Sequence, residues 1–275
     1  MTGIILGIAG VGAAVVQTPY VIMGAVLLVA AVLFKNIKLP TLSHVEAADN
    51  DSETSLVPHL LFSAAIIFAM AIGQPLIAGV IVIAALAYNF YGLRQYKSMV
   101  LGALAIFLCV GGEVSIGSWL VDYFAESSIA GMDKVTAGDM LAWYWGGAMV
   151  GRFVGAFLMR FIAATKYLAF NSVMAIVLIA VSMNTSGYIA VWSILLVGFF
   201  NSIMFPTIFT LAVKGLGSMT SKGSALVCQG IVGGALIPVI QGVAADGVGI
   251  QMSFIVPMLC YFYIGWYALK GADQS

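Results

Sequence analysis

The chain has 275 residues, of which 62% are hydrophobic and only 8% charged, with a mean hydropathy of +1.09. A soluble domain carries about 25% charged residues, so this composition excludes an ordinary water-soluble core and points to a polytopic membrane protein. Eleven basic residues balance eleven acidic ones, which excludes the basic surface that nucleic-acid binding requires.

In chain order, residues 1–38 read as an N-terminal membrane helix at about 18–34, followed directly by Lys35 and Lys38. No basic stretch follows Met1 and no Ala-x-Ala site precedes a polar sequence, so the segment does not read as a signal peptide. Residues 39–58 hold Glu46, Asp49, Asp51 and Glu53 without an apolar run and read as a polar linker. Residues 59–92 are an extra apolar segment with Gly73-Gln74-Pro75 near the middle, where proline breaks a helix. Two arms of about 16 residues would reach only ~24 Å, short of a ~30 Å hydrocarbon core. A short hairpin or re-entrant pair is expected, with one tilted span as the alternative. Residues 93–275 carry six further apolar runs, at roughly 97–123, 140–160, 166–183, 188–213, 224–244 and 251–269.

Arg94, Lys97, Arg160, Lys166, Lys214, Lys222 and Lys270 fall in alternate turns, whereas the opposite turns hold Lys134 beside Asp122, Glu126, Asp133, Asp139 and Asp246. Because basic residues favour the cytoplasmic side, both ends of this six-helix region, including the C-terminus, are expected in the cytoplasm.

Glu113 is the one charged group in the run Met99–Val121. A carboxylate near the centre of a membrane helix costs roughly 3 kcal/mol to insert, and such groups tend to mark a substrate, ion or proton path. The plainer alternative is a protonated acid bonded to a neighbouring helix. In the run 140–160, Gly147, Gly151 and Gly155 recur every fourth residue and form a flat face for close helix contact. Arg152 beside that face reads as a structural or gating residue, with pairing to an acid in one transport state as the alternative. Trp143, Tyr144 and Trp145 fit two readings equally, an interfacial aromatic belt and side chains that stack on sugar rings. Pro206 in the run 188–213 frees a backbone carbonyl near Ser202. Asn201 beside that break, and Gln229 in the next run, suit either a polar solute or interhelical bonding. Pro238 adds a second expected break. Cys109, Cys228 and Cys260 all lie in apolar runs and read as packing thiols. No nucleophile–base set, phosphate loop or metal spacing is present in the sequence, so neither an enzyme nor a bound cofactor is expected.

The strings Gly111–Tyr123, Tyr144–Phe153, Phe200–Thr207 and Ser224–Asp246, together with Gln17–Tyr20 and Lys38–Pro40, resemble the bacterial fucose–galactose–glucose:proton symporter family of the major facilitator superfamily. The resemblance covers 17–40 and 97–270 and begins at what would be family helix six. It implies an all-α membrane protein: the C-terminal six-helix half of a major facilitator fold, one preceding helix and an additional apolar hairpin. It also implies uptake of a monosaccharide across the bacterial inner membrane, coupled to a cation, most often a proton. Glu113 would serve the sugar or cation site, Asn201 and Gln229 would bond sugar hydroxyls, and Tyr144 and Trp145 would line the cavity. The first five family helices have no counterpart, so the opposite wall would come from a missing N-terminal half or a second copy. A half-transporter, alone or dimeric, that binds sugar or a partner without coupled transport is the alternative.

Overall fold

The computed structural model describes residues 96–272, together with Ala65 and Ile81, each of which is helical. The expectations for the helix at 1–38 and the linker at 39–58 lie outside the described residues. So does the hairpin expected at 59–92, those two positions aside.

The described residues are helical throughout, without a strand. Helix α1 spans Lys97–Ala125, α2 Lys134–Leu158 and α3 Ala164–Asn184. Helix α4 runs over Gly187–Val213 and is interrupted between Asn201 and Met204. Helix α5 joins Thr220–Gln229 to Gly233–Val248 through a 3₁₀ turn at Gly230–Val232. Helix α6 joins Ile250–Ser253 to Ile255–Trp266 and closes on a π turn at Tyr267–Gly271. Five of these are long and apolar enough to cross a membrane: α1, α3, α4, α5 and α6. Helix α2 has membrane length too, but Asp139, Arg152 and its glycines dilute its apolar character.

Helix α1 is the hub, packed against α2, α4, α5 and α6, while α3 closes the far side against α4 and α6. Alternation of the helices gathers Lys97, Arg160, Lys166, Lys214 and Lys270 at one end of the bundle and Asp122, Glu126, Asp133 and Asp246 at the other. The one ion pair among the described residues, Lys134–Asp122 at 3.5 Å, is exposed at the acidic end. It contributes little there.

Two boundaries differ from expectation for local reasons. Helix α2 begins six residues before residue 140, because the Asp133 side chain accepts hydrogen bonds from Val135 N (3.0 Å) and Thr136 N (3.1 Å). This is an N-cap. The hydrogen bonds from Thr136 hold the Asp133 carboxyl below its usual range. The contribution of the cap is therefore present above the ordinary carboxylate pKa and fades as pH falls through the lowered one. In α5 the break comes at Gly230–Val232, not at Pro238, which sits inside the continuing helix. Gly230 abuts the carbonyl of Ala103 and Gly233 that of Phe107, so α5 bends where it touches the α1 backbone.

The expected break in α4 is where the sequence puts it. Pro206 cannot donate to Ser202, and the ladder resumes with Thr207 N to Ile203 O at 3.2 Å. The Thr207 hydroxyl donates to the same carbonyl at 2.7 Å, and Ser202 Oγ donates to Phe199 O at 2.7 Å. The glycine face of α2 meets α4 at this break. A Cβ on Gly151 would collide with Phe199 O and Ser202 Oγ, and one on Gly155 would press on Ile203 at 3.1 Å.

Candidate functional site

The middle of α1 carries a half-buried carboxylate, Glu113, between helices that each bring a polar side chain towards it. Asn201 ends the first segment of α4, at the break, and is 2% exposed. Its amide is close enough to interact with the Glu113 carboxylate but forms no hydrogen bond through Nδ2. Its Oδ1 accepts a long contact from Cys109 Sγ, 3.9 Å away and one turn before Glu113 on α1. Tyr144, fully buried on α2, donates from its hydroxyl to the Glu113 backbone carbonyl at 3.2 Å. Its own backbone carbonyl lies against Gly198 of α4, where a side chain would not fit.

Trp145 packs edge-on against Tyr144, with ring centroids 5.2 Å apart, and remains 46% exposed. Its ring covers Gly117, one turn beyond Glu113 on α1. Tyr144 thus supports α1 from inside the bundle, and Trp145 is the member of the pair that meets the surroundings. Arg152 is exposed on α2 and is electrostatically felt by Glu113 without forming an ion pair. Gly151 lies at the α2–α4 contact beside the break, and Pro206 is exposed on the α4 segment that follows it.

Gln229 is placed apart from this group. It is half-buried at the end of the first α5 segment, immediately before Gly230, which touches Ala103 and Ile106. Ten residues of α1 separate Ala103 from Glu113, about 15 Å along a helix axis. Glu113, Asn201, Tyr144 and Trp145 therefore form one cluster, and Gln229 lies nearer the basic end.

Two members of the cluster were not singled out in the sequence. Cys109 reads there as a packing thiol, yet it touches Asn201. Tyr261 of α6 is fully buried, its ring 3.6 Å from the position a Cβ on Gly112 would take. It interacts electrostatically with Tyr144, Cys109 and Glu113. A tyrosine in the middle of an apolar run, far from either interface where an aromatic belt would sit, is the signal that could have found it.

A separate polar network pins the acidic end. Ser115 Oγ bonds Gln241 of α5, and Gln241 Nε2 donates to Ser253 Oγ of α6 at 3.2 Å. Tyr123 donates to Ser182 O of α3 at 2.9 Å, and Gln251 Nε2 donates to the same carbonyl at 3.0 Å. Every polar group named in this network has a partner, unlike those around Glu113.

No family model matches the chain. Over 180 residues it is 52% identical to a glucose/galactose transporter of Brucella abortus, a match covering 66% of this chain and 44% of the relative. Over 250 residues it is 32% identical to the L-fucose-proton symporter of Escherichia coli K12, covering 90% of this chain and 50% of the relative. The crystal structure of FucP, a major facilitator superfamily transporter in the outward conformation, superposes with a TM-score of 0.64 at 25% identity. That superposition covers 76% of this chain and 56% of FucP. In sequence and in fold the chain is similar to the C-terminal part of these transporters. It spans about half the length of the curated relatives. These relatives carry names of transporters, and the all-helical architecture of the described residues is that of the major facilitator superfamily.

Proposed function

We propose that the chain forms the C-terminal wall of a monosaccharide–proton symporter of the bacterial inner membrane. The observation that carries this reading is Glu113, a carboxylate at mid-span beside the buried Asn201 amide. A charged carboxylate is costly at that depth and a protonated one is much less so. Proton binding and movement of the site through the membrane are thereby linked. Sugar hydroxyls bond to Asn201 and, nearer the basic end, to Gln229, while Trp145 offers an exposed aromatic face. The contact of Gly151 with the α4 break before Pro206, and the exposed charge of Arg152, serve the change between outward- and inward-open states. A further helical half supplies the opposite wall of the cavity, as alternating access requires. The basic end, with the C-terminus, faces the cytoplasm.

The names of the relatives support glucose, galactose or fucose as the solute class and a proton as the coupling ion. The test is sugar uptake into vesicles by Asn201→Ala and Gln229→Ala variants. Loss of one hydrogen bond to a sugar hydroxyl, ~1.4 kcal/mol, raises the half-saturating sugar concentration about ten-fold. Unchanged half-saturation in both variants would remove these residues from the sugar site.

A further inference from the structure

Two buried polar atoms around Glu113 find no hydrogen-bond partner among the protein's own atoms: Asn201 Nδ2 and Tyr261 Oη. Such orphans are uncommon in folded proteins, and buried water is their usual complement. They come from different helices but flank the same turn of α1. The Asn201 amide touches Cys109, and the Tyr261 ring rests on Gly112, where no side chain fills the space. Both also interact with Glu113. A third orphan, Tyr267 Oη, lies away from this turn, beside Gly102 towards the basic end.

We infer that Tyr261 and Asn201 hold a single water molecule behind Glu113, between α1, α4 and α6, and that this water hydrogen-bonds the Glu113 carboxyl group. The water accepts from Asn201 Nδ2 and from Tyr261 Oη and donates to a Glu113 carboxylate oxygen. A sugar hydroxyl would supply the same chemistry, but the Tyr261 hydroxyl is enclosed within the bundle, out of reach of a ring-sized solute, so on this side of Asn201 a molecule of water size is the guest. Tyr261 is therefore a positioning residue: it sets the hydration of the carboxyl group from the interior of the bundle. The importance of this for transport rests on the role proposed for Glu113, whereas the water site itself does not.

The test is infrared difference spectroscopy of the purified protein between acid and alkaline buffer, in ordinary and in ¹⁸O-labelled water. The Glu113 carboxyl band is identified by its loss in Glu113→Gln. The expected result is an O–H band that shifts with ¹⁸O water and disappears in Tyr261→Phe. In that variant the Glu113 carboxyl band also moves to higher wavenumber, as for a less hydrogen-bonded group. Asn201→Leu gives the same test from the opposite side should Tyr261→Phe fail to accumulate. An O–H band that survives both substitutions, that ignores ¹⁸O, or that appears only with sugar present would overturn the inference. Water bands as expected in a protein that moves no protons would instead sink the transport reading and leave the water site standing.

Discussion

Replacing Glu113 with glutamine abolishes concentrative sugar uptake while exchange of sugar across the membrane persists. Glutamine keeps the volume of the side chain and its hydrogen-bonding capacity towards neighbouring polar groups, but it neither takes up nor releases a proton. It also removes the roughly 3 kcal/mol cost of a charge at mid-span, so the bundle around α1 stays folded. The net cycle, in which an empty carrier must return deprotonated, fails. The half-cycle that carries loaded sugar in both directions does not. The comparison is active uptake against counterflow of labelled sugar in the same vesicles. Accumulation in Glu113→Gln at the wild-type level would show that Glu113 is not the coupling group.

Gly151→Ala lowers the thermal midpoint of the purified protein and disrupts uptake, whereas Gly146→Ala on the same helix does neither. A Cβ on Gly151 would strike Phe199 O and Ser202 Oγ. Those two atoms are already hydrogen-bonded to each other at the α4 break. Overpacking of a tight contact costs about 1–3 kcal/mol. Here the clash is with backbone, so relief requires α2 and α4 to separate and Asn201 to move with them. Gly146 has nothing within 4 Å of its notional Cβ, and alanine there gains roughly 0.5–1 kcal/mol of helix preference. Melting in mild detergent, followed by monodispersity, measures both variants. Equal midpoints for the two would mean that the glycine face is not a packing contact.

Sequence and structure part company where a feature depends on a neighbouring helix. The membrane helices are legible because each run must satisfy its own backbone bonds over some 20 apolar residues. The glycine face of α2 and the break at Pro206 are legible for a similar reason, since spacing of four residues and a missing N–H are local facts. The bend of α5 is not local. It is set by the Ala103 and Phe107 carbonyls of α1, and nothing in the run 224–244 announces that they are there. Pro238, the more conspicuous signal, is absorbed within the helix. The candidate site divides in the same way. Glu113 and Asn201 stand out as polar groups in apolar runs and come together. Gln229 stands out equally but belongs to a segment that meets α1 about 15 Å away along the axis. Tyr261 carries a signal in its mid-run position, but only the tertiary fold buries its hydroxyl near a carboxylate without a partner.

The most direct test of the central claim is sugar-dependent proton movement in de-energised membrane vesicles from cells expressing the protein from its own locus. Addition of glucose, galactose or fucose should alkalinise the external medium for at least one of the three, and an uncoupler should abolish the change. Sugar entry without any alkalinisation, or no entry of the three sugars at all, would contradict a sugar–proton symporter.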